Sequence, residues 1–357
     1  MPESPLKKLQ SKLQCEWSTI NSAAKSSEDK ADEIRSILTS GPPLDSEDRS
    51  IVAFGSLARN EWTSGSDLDW TLLIDGIADP EHLTIARTIA SSLKPRFKEP
   101  GQTGIFGNLA FSHEIIHQIG GQNDTNRNMT QRILLLLESK VIGPKPDAYE
   151  RVIAGILDRY LTEDTSILTS GSAKKSGVPR FLLNDIVRFW RTMAVDFASK
   201  QRERGGQGWG LRNLKLRMSR KLIFAAGLLT CFSCSLNPSK EMQDAECGSG
   251  NAVQSFVNHL KQFVRMTPLE VLAEATLSYQ VPPEIASELF KAYDEFLALL
   301  SDKDKRQALQ NLNFTEAETN ELFAEVREIG RRFQEGLTKF FYETPEVNDL
   351  TIRYGVF

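Results

Sequence analysis

The sequence predicts an α+β fold, with a small mixed β-sheet core between an N-terminal helical arm and a large all-α C-terminal region. Three observations support this prediction. Two short apolar runs, at 51–54 and 68–74, have the length of β-strands and stand close together in the chain. Residues 4–40 carry apolar residues at helical spacing. Strand patterns nearly vanish after about residue 146, where helical spacing continues to the end.

These patterns divide the chain into a helical arm at 1–45, a core at 46–145 and a helical C-terminal domain at 146–357. One helix face in the arm carries four apolar residues, Leu6, Leu9, Leu13 and Trp17. A second helix is predicted from Glu28 to Leu38, with the pair Ser26-Ser27 as its N-terminal cap.

The core and the C-terminal domain each have a predicted order of elements. The core holds strands at 51–54 and 68–74, a helix at 80–93, a Gly-rich turn region at 101–107, a third strand at 108–111 and a helix at 130–140. The C-terminal helices are predicted at 149–161, 179–200, 211–232, 250–264, 268–277, 283–300, 303–312 and 316–342. A flexible connection is predicted at 162–177, and a polar loop at 233–250.

Composition narrows the functional class. The chain has 357 residues, of which 40% are hydrophobic and 25% charged, which excludes a disordered or collagen-like protein. The net charge is −4, so any contact with nucleic acid requires a local basic patch. Four cysteines are too few for a disulfide scaffold, and a cytoplasmic location is expected. The most apolar run, 222–232, is shorter than the roughly 20 residues of a membrane span, so no membrane partner is expected.

The most informative segment runs from Gly55 to Trp70. Gly55-Ser56 follows the first predicted strand and begins a helix, a position where backbone N–H groups and the helix dipole favour phosphate. Ser56 adds a hydroxyl donor. Asp67 and Asp69 are two residues apart at the start of the second predicted strand; in an extended chain both carboxylates face one side and can ligate Mg²⁺ together.

The alternative interpretation is a strand-turn-strand with a capped helix and two surface aspartates. Two carboxylates on one strand face repel each other unless a cation lies between them. Ten residues separate Gly55-Ser56 from Asp67-Leu68-Asp69, and this spacing between two predicted strands favours a site for a nucleotide and a metal ion.

The segments 55–61 and 66–69 resemble the nucleotidyltransferase superfamily of DNA polymerase β. Within it they look most like the branch of the PII-protein uridylyltransferases and the DUF294-like nucleotidyltransferases, for which Arg59-x-Glu61 is typical. The runs 135–143 and 185–192 are also similar to that branch, so the resemblance covers roughly 50–230. The chain lacks the His-Asp metal ligands of the phosphohydrolase domain that the bifunctional uridylyltransferases carry. A PII protein is therefore not assumed to be its acceptor.

The resemblance implies roles for particular residues. Asp67 and Asp69 are the expected catalytic metal ligands, and Gly55, Ser56 and Ser66 the expected nucleotide contacts. Many members of the superfamily supply a third carboxylate from a neighbouring strand. Glu114 is the first candidate here, with Asp124 and Glu99 as alternatives; if 112–119 is a helix, Glu114 is an ordinary surface residue.

Basic residues form a second group of candidates. Arg59 is predicted to neutralise phosphate charge with Glu61 orienting it, or else the two form a helical ion pair. Residues 180–221 hold eleven basic and three acidic residues, a local balance of +8. Related transferases clamp the triphosphate with basic residues of the helical domain, and Arg188 and Arg191 are the candidates for that role. A nucleic-acid patch or a solvated basic face are the alternatives.

Three further features can each be interpreted as structural or as functional. The loop 120–126 either contacts the base or ribose, or forms a turn in which Asp124 or Thr125 caps the next helix. The pair His113 and His117 has the spacing of metal ligands but no third partner, and the pair Cys231 and Cys234 is expected to be buried and structural.

Together these features predict a nucleotidyltransferase that moves a nucleoside monophosphate from an NTP, ATP or UTP, to an acceptor hydroxyl and releases pyrophosphate. Mg²⁺ or Mn²⁺ is the expected cofactor. A protein is the expected acceptor. An RNA or tRNA end, or a second nucleotide, is one alternative, and a nucleotide-binding regulatory module without turnover is another.

Overall fold

The structure is a computed structural model, and it describes residues 3–98, 109–164, 177–203, 205–244 and 250–355. Several sequence predictions lie outside these residues: the Gly-rich turn at 101–107, residue 108 of the third strand, most of the connection at 162–177, and the side chains Glu99, Arg204 and Cys247.

The described residues contain a four-stranded mixed sheet in the order β3-β2-β1-β4, which confirms the predicted α+β fold. The strands are β1 (Arg49–Phe54), β2 (Trp70–Ile74), β3 (Leu109–Phe111) and β4 (Ser139–Val141). Strand β1 pairs antiparallel with β2 and β4, whereas β3 runs parallel to β2. Strand β4 was not predicted, because Ser-Lys-Val is too short and too polar to carry an alternating pattern.

Helices make up most of the remaining chain. Those of the first half are α1 (Pro5–Leu13), α2 (Ser18–Leu38), α3 (Gly55–Ala58), α4 (Glu81–Leu93), α5 (Ser112–His117), α6 (Asn126–Leu137) and α7 (Asp147–Thr162). Those of the second half are α8 (Arg180–Glu203), α9 (Trp209–Lys215), α10 (Lys221–Leu236), α11 (Lys240–Asp244), α12 (Gly250–Val264), α13 (Pro268–Ser278), α14 (Pro283–Ser301), α15 (Lys303–Asn311), α16 (Glu321–Glu343) and α17 (Pro345–Leu350).

The two faces of the sheet pack against different groups of helices. Successive strand residues point to opposite faces. Val52, Phe54 and Leu73 belong to the large core that the C-terminal helices build. Ile51 and Leu72 belong to a smaller core with α4 and the second half of α2. The two central strands, β1 and β2, are therefore buried on both sides.

The helical arm is part of this large core. Trp17 stacks on Phe290 of α14 at 4.6 Å between ring centroids, and the Ile20 N–H donates to Asp294 at 2.8 Å. The large core thus contains residues from all three predicted parts of the chain. The division at 45 and 145 stays a prediction.

Two predicted helix starts are wrong. Helix α2 runs without a break from Ser18 to Leu38, and the Ser27 hydroxyl donates to the Ala23 carbonyl oxygen at 2.8 Å inside the helix rather than capping a new one. A helix was also predicted to begin at Glu316. There the chain instead forms a 3₁₀ turn, Phe314–Glu316, and α16 begins at Glu321 with Asn320 as its cap.

Helices α9 and α10 join through a π-helical turn, Leu216–Arg220, into one helical stretch, Trp209–Leu236. By length and hydropathy this stretch could cross a membrane, but 72% of its most apolar window is buried inside the protein. It is therefore placed as a core helix. Cys231 and Cys234 lie on it, and both are buried, as predicted. A π-helical turn inside a helix often marks a functional site.

Candidate active site

Asp67 and Asp69 lie just before β2, which begins at Trp70. The Phe54 N–H donates to the Asp69 carbonyl oxygen at 2.9 Å, so the pairing of β1 with β2 extends to Asp69. This pairing sets Asp69 against the end of β1, where Gly55 follows. Asp67 is exposed and Asp69 is partly buried.

Gly55 brings the backbone close to the Asp69 carboxylate. Its φ is +70°, a left-handed conformation that glycine adopts without strain. A β-carbon at this position would lie 3.1 Å from Asp69 Oδ2. Both constraints explain why glycine is the residue that begins α3 directly after β1.

The backbone N–H of Gly55 already has a partner. It donates to Glu138 Oε1 at 3.0 Å, at the end of α6. The sequence prediction that this N–H binds phosphate is therefore not supported, and α3 is a single turn of four residues. The Ser56 hydroxyl is partly exposed and makes no hydrogen bond within the described part of the chain, so it remains the donor that a phosphate could accept from.

Arg59 sits in a buried ion network. Its Nε donates to Glu61 Oε2 and its Nη1 to Glu138 Oε2, both at 2.7 Å. The Tyr293 hydroxyl donates to the other oxygen of Glu61. Burial acts to lower the pKa of Arg59, but Glu61 and Glu138 outweigh it and raise the pKa above its usual value. Arg59 therefore ties α3 to α6 and α14, which corrects the prediction that it neutralises phosphate.

The surroundings of Asp69 disfavour the ionised form of its carboxylate. Burial, Asp67 and Glu138 raise the pKa of Asp69 to about 6, and Arg220 and Lys215 act against this rise. A divalent cation between Asp67 and Asp69 would relieve the same repulsion.

Three basic side chains of the C-terminal helices act on this pair of aspartates. Burial lowers the pKa of Lys215 to about 8, and Asp67 opposes that shift. Burial lowers the pKa of Arg306 as well, again against Asp67, while Arg220 lowers the pKa of Asp69. No ion pair within 4.0 Å joins the two aspartates to these cations in the described residues. Lys215, Arg220 and Arg306 therefore act on the charges of Asp67 and Asp69 without forming a direct ion pair with them.

The structure does not bring Glu114 to this site. Strand β3 runs parallel to β2, and Phe111 pairs with Ile74 at the end of β2 away from Asp69. Five strand residues span about 17 Å. Glu114 lies beyond that end, exposed on the short helix α5. The prediction that Glu114 supplies a third carboxylate is corrected by this strand direction.

Arg188 and Arg191 are also remote from the aspartates. Arg188 Nη1 donates to Asp124 at 3.2 Å, and its Nη2 donates to Asn126 at 3.1 Å, both at the N-terminal end of α6. Glu138 and Gly55 meet at the opposite end of this helix, whose 12 residues span about 18 Å. Arg191 lines the same groove as Arg188. Neither arginine is placed to hold a triphosphate at Asp69.

Asp124, an alternative third carboxylate, is held in a buried cluster. The fully buried Arg132 donates to both of its oxygens at 2.9 Å. Thr125 caps α6 by accepting from the Asn128 N–H, which is the structural role foreseen for this loop.

Ser66 closes a turn instead of facing a ligand. It is buried, and its hydroxyl accepts from the Thr63 N–H at 3.1 Å. The same hydroxyl lies 3.3 Å from Thr63 Oγ1. Its predicted contact with the nucleotide therefore has no support in this geometry.

The described residues contain no cluster of three or more His, Cys, Asp or Glu that could hold a metal by itself. The aspartate pair is nevertheless a fitting site, because Mg²⁺ is often bound by one or two carboxylates and completes its shell with water and substrate phosphates. The raised pKa of Asp69 and the lack of a side chain at Gly55 fit a cation at this place.

Comparison with known families agrees with this geometry. Residues 32–85 match the family model of a nucleotidyltransferase domain. The match spans Gly55, Ser56, Asp67 and Asp69. It supports a nucleotidyltransferase activity and a relation to the DNA polymerase β-type superfamily. Such domains generally use an NTP and a divalent metal. Among curated proteins, none matches the chain.

Gly55→Ala tests the approach of the backbone to Asp69. We expect a loss of roughly 1–2 kcal/mol in the free energy of unfolding, because a left-handed φ is costly for alanine. Enzymatic transfer should fall as well, since the added β-carbon presses on Asp69 Oδ2. Gly41→Ala is the matched control, because nothing lies within 4 Å of a β-carbon there. Denaturant unfolding measures the stability of both variants. Equal stability of Gly55→Ala and Gly41→Ala would contradict this account of Gly55.

Proposed function

We propose that this protein transfers a nucleoside monophosphate from an NTP to a hydroxyl group of a protein, with a divalent metal ion as cofactor. The observation that carries the proposal is the pair Asp67 and Asp69 with the charges of Lys215 and Arg220 acting on it. Carboxylates can hold a cation, and basic side chains opposite them can hold the phosphates that the cation bridges.

Each residue has a role in this reaction. Asp67 and Asp69 hold Mg²⁺ or Mn²⁺, which when bound neutralises charge on the triphosphate. The Ser56 hydroxyl donates to a phosphate oxygen, and Lys215 and Arg220 offset the negative charge of the leaving pyrophosphate. The acceptor oxygen forms a bond to the α-phosphorus as the bond to the bridging oxygen breaks. Pyrophosphate leaves with that electron pair, and the hydroxyl proton passes to water.

The choice of a protein acceptor rests on the resemblance and on how the basic segment is used. Arg188 is engaged by Asp124 and Asn126, and Arg212 donates to the carbonyl oxygens of Gln207 and Gly208. The charge of Lys215 interacts with that of Asp67. Arg188 and Arg212 are thus engaged within the protein, which weakens the case for the basic segment as an RNA-binding surface. ATP and UTP are the nucleotides that the resemblance favours, and a cytoplasmic location stays a prediction.

Label transfer identifies the acceptor. The protein is incubated with each of the four α-³²P-labelled NTPs and with Mg²⁺ or Mn²⁺, with cell lysate as the source of acceptor. We expect label in material that protease degrades and ribonuclease does not, and no label with the double variant Asp67→Ala/Asp69→Ala. Label that ribonuclease removes would contradict a protein acceptor and would indicate RNA.

The pH dependence of nucleotide binding tests Lys215. Its pKa of about 8 means that the amine loses its charge as the pH rises through 8. NTP affinity should therefore fall between pH 7 and pH 9 in the wild type. Lys215→Arg keeps its charge across this range and should flatten the profile. Fluorescence titration with a labelled NTP measures both; parallel profiles for the two proteins would count against a phosphate contact by Lys215.

A further inference from the structure

Arg306 reaches from α15 to the loop that precedes Asp67. Its Nη1 donates to Thr63 Oγ1 at 3.3 Å, and its Nη2 donates to the Gly65 carbonyl oxygen. A β-carbon at residue 65 would lie 2.3 Å from Arg306 Nε, so only glycine lets the guanidinium come this close. The contact therefore joins the C-terminal helices to the metal-binding segment.

The loop that Arg306 contacts, residues 63–66, is a hydrogen-bonded turn. The Thr63 N–H donates to Ser66 Oγ at 3.1 Å, and the Ser66 N–H donates to the Thr63 carbonyl oxygen at 2.9 Å. Asp67 is the next residue. Because a guanidinium presents its donors in a rigid planar fork, two hydrogen bonds fix the orientation of the turn as well as its distance.

Arg306 is itself held in place by helix packing. The Gly210 N–H donates to the Leu312 carbonyl oxygen at 3.2 Å, and a β-carbon at Gly210 would lie 2.8 Å from the Leu309 carbonyl oxygen. Helices α9 and α15 are thus in close contact, and α9 carries Lys215. One pair of helices thus carries both Lys215 and Arg306, whose charges interact with that of Asp67.

We propose that Arg306 is a positioning residue, which holds the 63–66 turn so that Asp67 stands correctly beside Asp69 for metal binding. This inference rests on the proposed function, since it takes Asp67 as a metal ligand. It makes metal affinity depend on a residue of the C-terminal helices that need not touch the metal or the nucleotide.

Direct titration with Mn²⁺ in the absence of nucleotide tests this role, with free Mn²⁺ followed by electron paramagnetic resonance. We expect Arg306→Ala to bind Mn²⁺ at least tenfold more weakly than the wild type. Gly65→Ala should do the same, because its β-carbon displaces the guanidinium. Arg306→Lys should bind more tightly than Arg306→Ala but more weakly than the wild type. Lys305→Ala is the control on the same helix, because Lys305 pairs with Glu325 at 3.0 Å instead, and it should bind as the wild type does.

Steady-state transfer gives a readout that general damage to the fold would not produce. For Arg306→Ala the half-saturating Mn²⁺ concentration should rise at least tenfold, whereas kcat at saturating Mn²⁺ should recover. Wild-type Mn²⁺ affinity in both Arg306→Ala and Gly65→Ala would overturn the inference. If Asp67→Ala/Asp69→Ala bound Mn²⁺ as tightly as the wild type, or the wild type bound none, the proposed function would fail instead.

Discussion

Asp69→Asn is expected to lower the rate of transfer by a factor of about a thousand or more. A bound metal ion supplies several kcal/mol of transition-state stabilisation, and each 1.4 kcal/mol corresponds to a tenfold change in rate. Asparagine is nearly the same size as aspartate but is a weaker ligand for Mg²⁺. Turnover of α-³²P-labelled NTP under saturating metal measures the loss.

The same substitution should leave the fold as stable as before or more stable. Burial, Asp67 and Glu138 raise the pKa of Asp69 to about 6, so its ionised form at pH 7 is less favourable in the folded state than in the unfolded chain. Asparagine removes that cost. Asp75→Asn is the matched control, because Asp75 follows the other end of β2 and pairs with Arg151. Near wild-type transfer by Asp69→Asn, or an equal loss in Asp75→Asn, would be incompatible with a metal site at Asp69.

Arg59→Ala is expected to destabilise the protein by roughly 3–5 kcal/mol. It leaves Glu61 and Glu138 buried without their shared cation, and the loss of one partner from a buried ion pair is costly. The change also removes the link between α3 and α6 beside Gly55. Equilibrium unfolding in urea measures the difference.

Arg331→Ala provides a matched comparison. Arg331 also pairs with two glutamates, Glu328 and Glu335, but its side chain is 55% exposed against 10% for Arg59. Exposed pairs contribute about 0–1 kcal/mol, so this variant should unfold almost as the wild type does. Similar unfolding midpoints for the two arginine variants would show that the Arg59 network is not a main support of the core.

Local patterns predicted the α+β fold and most elements, because apolar spacing and turn residues are short-range signals. Strands β1 and β2 and the pairs Gly55-Ser56 and Asp67-x-Asp69 follow from such signals. Strand β4 and the continuous helix α2 did not, since β4 depends on pairing with β1 and α2 packs along its length against both cores.

The residues around the aspartates were harder to predict, because they come from distant parts of the chain. Lys215 and Arg220 belong to the basic segment that the sequence drew attention to, but nothing in the sequence separates them from Arg188. Arg306 stands in an exposed helix with no motif. Glu114 was chosen on the expectation of a strand leading into it, and the parallel direction of β3 carries it to the other end of the sheet. Strand direction and helix docking are not local properties.

The most direct test compares NTP labelled with ³²P at the α-phosphate with NTP labelled at the γ-phosphate, while released pyrophosphate is measured. Transfer of a nucleoside monophosphate predicts label on the acceptor from the α-position alone, one pyrophosphate released per label, and neither product with Asp67→Ala/Asp69→Ala. If no NTP yields a labelled product or pyrophosphate although nucleotide binds, the protein is a nucleotide-binding module and the transferase account is contradicted.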